Sequence, residues 1–214
     1  MLPDFLQMDY HNFKRTPNSF QRFHKIIYFC FSLLKTYVTI LYCATKITGY
    51  KNQRIEKYIF ENFQRPTEGS WLSFFEVLLS AKYASNIDPR KVFKKNISKD
   101  ISLKFNEIYK IALNLPESLK EENTIFNSFQ KITTLKNRLI SHGIVNEDTA
   151  ARVNDILEKL IDEIVENTKE YLNTGLFLIT DFKNNNSWKI CNYKNTEDCV
   201  EYDYDTSFIK EDGL

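Results

Sequence analysis

The sequence predicts a mainly α protein, an up-and-down helical bundle carrying a small C-terminal antiparallel β appendage. Three observations point there. Apolar residues recur at three- and four-residue spacing through most of residues 20–172, the period of helices with one buried face. Only 5 Gly and 5 Pro occur in 214 residues, too few for a turn-dense β-sandwich or a glycine-rich nucleotide fold. Beyond Gly175 the helical period gives way to β-branched and aromatic runs.

Residues 1–18, with Pro3 and Pro17, read as an arm or short helix. Pro17-Asn18-Ser19 offers an N-cap, after which a helix runs over about 20–48 and stops at Gly49. A second helix, about 52–64, places Ile55, Tyr58, Ile59 and Phe63 on one face and ends at Arg65-Pro66. Thr67-Glu68-Gly69-Ser70 opens a third, 71–84, with Leu72, Phe75, Val77, Leu78 and Leu79 for the core. The polar, basic stretch 85–100 reads as a loop with a short helix. Ile101, Phe105, Ile108 and Ile111 form the stripe of a further helix, ended by Pro116. The next helix starts near Ser118 and carries Ile125, Phe129, Ile132 and Leu135 into Lys136 and beyond, with Gly143 as its stop. The last, 149–172, turns Val153, Ile156, Leu157, Leu160, Ile164 and Val165 inward. Strands are expected at 176–182, 187–193 and 199–205. The bundle is thus assigned to 1–175 and the appendage, with its acidic tail, to 176–214.

Composition narrows the class. Hydrophobic residues make up 43 % and charged residues 27 %, excluding disordered and collagen-like chains. A chain of this length buries roughly 70 % of its extended surface, enough for a core without staples. The 20 Asn residues read as the mark of an AT-rich genome. Net charge is +1, but residues 1–110 hold 18 Lys+Arg against 9 Asp+Glu, whereas 111–214 hold 11 against 19. Such asymmetry steers a polyanion to the front half, pairs two copies head to tail, or simply marks two differently solvated faces.

Cys30, Cys43, Cys191 and Cys199 show no zinc-knuckle spacing, and His11, His24 and His142 lie far apart. Cys191 and Cys199 are placed to face each other across a hairpin, but nothing marks the chain as secreted, so reduced cytoplasmic thiols are expected. No P-loop, dinucleotide fingerprint or G-x-S-x-G elbow is present. Neither a cofactor nor a metal is expected. Glu158, Asp162, Glu163 and Glu166 lack the Glu-x-x-His pairing of di-metal bundles and read as surface groups. The acidic tail from Glu197 to Asp212 reads as a solvated end, and the aromatic stripes, Trp71 among them, as core. Residues 26–44 have the length of a membrane span, but Lys35 at their centre costs roughly 3 kcal/mol in a bilayer. A buried helix of a soluble bundle is expected there, with no membrane partner.

Chemistry concentrates in residues 135–143, Leu-Lys-Asn-Arg-Leu-Ile-Ser-His-Gly. On a helix Arg138 and His142 are i and i+4 and share a face. A guanidinium that grips a phosphate beside an imidazole that moves protons is the minimum for metal-free RNA cleavage. His142 as base takes the ribose 2′-OH proton, the oxygen attacks the adjacent phosphorus, and Arg138 stabilises the charge that builds. The products are a 2′,3′-cyclic phosphate and a 5′-OH. The same residues also suit the C-terminus of any helix, where cations favour the negative end of the dipole.

A helical chain with this polar stretch opening onto Ser141-His142-Gly143, followed by another long helix, resembles the HEPN superfamily. That superfamily's signature is an Arg, a polar residue (often Asn), and a His a few residues on. The segment Arg65-Pro66-Thr67-Glu68-Gly69-Ser70-Trp71 is similar to one found in HEPN-bearing proteins of bacterial conflict systems. The resemblance covers about residues 20–175. It implies a metal-independent endoribonuclease acting as a toxin or antiviral-defence effector, with Lys136, Asn137, Arg138 and His142 as site residues. Two registers fit: Lys136 as a substituted first cation, or Arg138 in a shortened motif. Many HEPN domains are silent modules that dimerise or bind RNA or a protein, which is the alternative function. One cation and one base per chain are too few both to grip a phosphate and to protonate the leaving group, so a two-fold homodimer with 130–145 in its interface is expected. RNA, and an antitoxin or defence-system protein, are the other expected partners.

Overall fold

The computed structural model describes residues 2–47, 53–63, 66–81, 89–114, 122–140 and 147–172, with backbone alone at 177–183, 187–192 and 195–203. The expected stops at Gly49, Arg65, Pro116, Gly143 and Gly175 lie outside these residues, as do Ser118 and His142. Among the described residues the chain is mainly helical, in eight helices: α1 Asp4–Lys14, α2 Ser19–Ile47, α3 Gln53–Asn62, α4 Glu68–Leu79, α5 Pro89–Phe93, α6 Lys99–Leu113, α7 Ile125–Leu139 and α8 Glu147–Leu172. Two compact units divide the chain, Leu6–Thr168, and Lys169–Leu214 with Met1–Phe5.

Within Leu6–Thr168, α2 packs against α4 and α7, α4 also meets α3 and α7, and α7 takes α5 and α6 on its remaining sides. α2 is the central rod. It starts where the Asn18 side chain accepts from the Gln21 amide at 2.8 Å, the N-cap that Pro17-Asn18-Ser19 foretold. Phe23, Ile26, Phe29, Leu33, Leu34, Tyr37, Val38 and Leu41 are all buried. Its polar residues bond back to their own helix: Thr36 Oγ1 donates to the Ser32 carbonyl at 2.8 Å and Thr39 Oγ1 to that of Lys35 at 2.9 Å. By length and composition Ser19–Cys43 is apolar enough to cross a membrane, yet 61 % of its most apolar window is buried inside the protein. Lys35 is exposed, with its ammonium 6.0 Å from the Trp71 ring.

The core is aromatic. Phe93 of α5 stands edge-on to Tyr37 of α2 at 5.0 Å and to Phe75 of α4 at 4.8 Å, and Phe129 of α7 closes the cluster. Such pairs add about 0.5–1.5 kcal/mol each beyond the area they bury. The Tyr37 hydroxyl bonds Thr168 Oγ1 of α8 at 2.5 Å, so this buried polar tip is satisfied. Burial raises the Tyr37 phenol and the Cys30 thiol well above their ordinary values.

α8 corrects one expectation. Glu158, with its side chain 14 % exposed, pairs with Arg22 of α2 instead of standing in solvent. Asp162 accepts from Tyr10 at 2.6 Å and Lys14 at 2.8 Å, fixing α1. Glu163 takes the Ser98 amide at 2.6 Å and its hydroxyl at 2.8 Å, and Glu147 takes the Ser19 amide at 2.8 Å. The amides of Ser98 and Ser19 belong to the positive ends of α6 and α2, where a carboxylate is favoured. The acidic face of α8 is thus a strap across its neighbours.

Candidate functional site

α7 carries three of the four residues singled out by the sequence. Thr124 caps it, its hydroxyl accepting from the Asn127 amide at 3.1 Å. Ile125, Phe129, Ile132, Leu135 and Leu139 anchor it in the core. The helix begins at Ile125, later than the expected start near Ser118, because residues 95–97 and 123–125 pair first. The Ile97 amide donates to the Asn123 carbonyl at 2.7 Å, and the Ile125 amide to that of Lys95 at 3.1 Å. It ends at Leu139, with Ile140 as cap.

At 100° per residue, Lys136 and Arg138 point about 200° apart around α7, on nearly opposite faces. Lys136 faces α4 and α2. Its ammonium lies 3.5 Å from the Glu68 carboxylate and 5.9 Å from the Phe31 ring centre. Glu68 stands at the first position of α4, whose start is fixed by a capping box: Thr67 Oγ1 accepts from the Ser70 amide and Ser70 Oγ from the Thr67 amide, both at 3.2 Å. The hydrogen bond from its own backbone amide, reinforced by the Lys136 and Lys35 charges, holds the Glu68 carboxyl below the usual carboxylate range. One turn on, Trp71 meets the Lys35 ammonium at 6.0 Å and packs edge-on to Phe63 at 4.8 Å. The two segments that carry the family resemblance therefore touch, through Glu68 and Lys136.

Arg138 lies on the stripe of Lys131 and Leu135, half-buried, with a buried Nε that has no hydrogen-bond partner. Asn137 is exposed between the two cations. So Lys136 and Arg138 are not brought to one point, and His142 lies outside the described residues.

Comparison with protein-family models, with characterised proteins and with solved structures finds no match.

Two features escaped the sequence reading. The first is Glu68 as counter-charge to Lys136. Its signal was the Thr67-Glu68-Gly69-Ser70 helix start, where Glu68 reads only as part of the opening of the helix. The second is a polar knot between α6 and α7. Lys131 Nζ donates to Asn106 Oδ1 at 2.7 Å and Asn123 Oδ1 at 2.5 Å, and stands 5.7 Å from the Tyr109 ring. Asn123 Nδ2 donates to Asn106 Oδ1 at 3.1 Å, and the Asn123 amide to Ser102 Oγ at 3.1 Å. Asn106, Asn123 and Ser102 are all 2 % exposed or less, so these two asparagines are structural parts of the core. Among the described residues no three His, Cys, Asp or Glu side chains gather as a metal site.

Proposed function

We propose that this chain is a metal-independent endoribonuclease of HEPN type, a cytoplasmic toxin or antiviral-defence effector in the shortened register, with Arg138 as phosphate-binding cation and His142 as base. The observation that carries the choice of register is the Lys136–Glu68 ion pair: the Lys136 ammonium already has a carboxylate 3.5 Å away, whereas Arg138 lies half-buried on the opposite side of α7. A guanidinium there offers two parallel N–H groups to a phosphate. Asn137, exposed beside Arg138, is free to donate to a second phosphate oxygen. The bundle is completed as an active unit by a second copy, which doubles cation and base. An antitoxin or defence-system protein would restrain it.

The tail belongs to the same reading as a small sheet. Backbone pairing of β1 Phe177–Lys183 with β2 Ser187–Asn192, and of β2 with β3 Asn195–Asp203, both antiparallel in the order β1-β2-β3, supports a three-stranded appendage.

Incubating purified protein with single-stranded RNA tests the function. Cleavage leaving 2′,3′-cyclic phosphate ends, unaffected by EDTA, is expected. Arg138→Lys should reduce it at least tenfold, since a point charge cannot replace the guanidinium fork. Lys136→Ala should change the rate at saturating RNA by less than about threefold, given its existing partner. A larger loss for Lys136→Ala than for Arg138→Lys would restore the other register. A dimer that binds RNA without cutting it would instead support the silent module.

A further inference from the structure

We propose that Lys35 and Lys136, gathered around Glu68 beside Trp71, form a second contact for a single-stranded RNA backbone, which Glu68 holds closed until a phosphate takes its place. The ligand class rests on the ribonuclease reading above; the contact itself rests on the face of α7 opposite Arg138.

Lys136 Nζ of α7 lies 3.5 Å from the Glu68 carboxylate, and Lys35 Nζ of α2 lies 6.0 Å from the ring of Trp71 one turn along α4, so two ammonium groups from different helices share this corner with one carboxylate. The Glu68–Lys136 pair is a loose one: 3.5 Å apart, with side chains 42 % and 23 % exposed. Pairs of this kind are weak and exchange readily with a competing anion. The Glu68 backbone is held in the capped first turn of α4, which keeps its carboxylate within side-chain reach of Lys136. A phosphate approaching Lys136 and the exposed Lys35 therefore meets a nearby negative charge that it must outcompete. Trp71, half-exposed and already against one ammonium, supplies the aromatic surface on which a base can stack, the usual companion of lysines in single-strand grooves. The surplus of basic residues in 1–110 adds long-range attraction for a polyanion over this part of the chain.

The test is fluorescence anisotropy of a labelled oligouridine of about 12 nucleotides, bound to full-length His142→Ala protein so that the strand survives. Lys35→Gln and Lys136→Gln should each weaken binding about 3–10-fold and flatten the salt dependence by about 0.7 in log–log slope. Glu68→Gln should tighten binding severalfold. A Glu68 that serves only to hold α4 to α7 would instead lower the melting temperature and leave affinity untouched, and that result overturns the proposal. Unchanged affinity and slope in both lysine variants overturn it as well. Polyglutamate of matched charge, bound through the same lysines as tightly as the RNA, would overturn it in favour of an acidic protein segment. RNA binding with the expected lysine dependence, in a protein whose wild type does not cut, refutes the catalytic reading and leaves this contact standing. Cleavage at low RNA concentration that ignores both lysines refutes the contact alone.

Discussion

Glu68 sets the behaviour of the surface at which α2, α4 and α7 meet. Its carboxyl is held low chiefly by its own amide and then by Lys136. A carboxyl depressed in the folded state stabilises that state above the unfolded value, about 4.3, and loses the contribution as pH falls through the folded value. The stability gap between wild type and Glu68→Gln should therefore be flat over about pH 6–8 and close below about pH 4. Because the carboxylate is 42 % exposed, the gap should be small and shrink with salt. Thermal melts across pH check this, and a gap that widens on acidification contradicts the assignment. Arg138 is the converse case, a cation whose buried Nε no protein group satisfies. Residue type and spacing put Arg138 in view, but not Glu68 as the partner of Lys136. Which cation was already neutralised depended on a glutamate 68 positions earlier than Lys136, and no local pattern carries that.

At the scale of elements, hydrophobic periodicity located most of the helices, because each buries one apolar stripe. The expected 20–48, 52–64 and 149–172 correspond to α2 Ser19–Ile47, α3 Gln53–Asn62 and α8 Glu147–Leu172. Ends were less legible, because polar groups set them. α6 stops at Leu113, before Pro116, since Asn114 adopts the left-handed conformation (φ 53°) and bonds back to the Ile111 carbonyl at 3.2 Å. α4 opens three residues before Trp71 because Thr67 and Ser70 cap each other. Sequence also hid the joint of α6 to α7, where Asn123 bonds Ser102, Asn106 and Lys131 at once. Removing that side chain leaves buried partners unsatisfied, so Asn123→Ala should cost about 2–4 kcal/mol in urea unfolding with an unchanged slope. A cost under about 0.5 kcal/mol would show that the knot contributes nothing to holding α6 on α7.

At the scale of the molecule, the proposed chemistry needs two copies, since one chain offers a single Arg138 and a single His142 in the motif. Light scattering at micromolar concentration should give twice the chain mass. Substitution of exposed Asn137 by Trp, within the expected 130–145 interface, should shift it toward the monomer. A wild-type monomer would remove the shared site. The central claim is that His142 moves the proton of the attacking 2′-OH, and its direct test is single-turnover cleavage of single-stranded RNA by wild type and His142→Ala. Loss of cyclic-phosphate product in the variant, with unfolding and dimer mass unchanged, is the predicted result. Equal cleavage by the two proteins would contradict it.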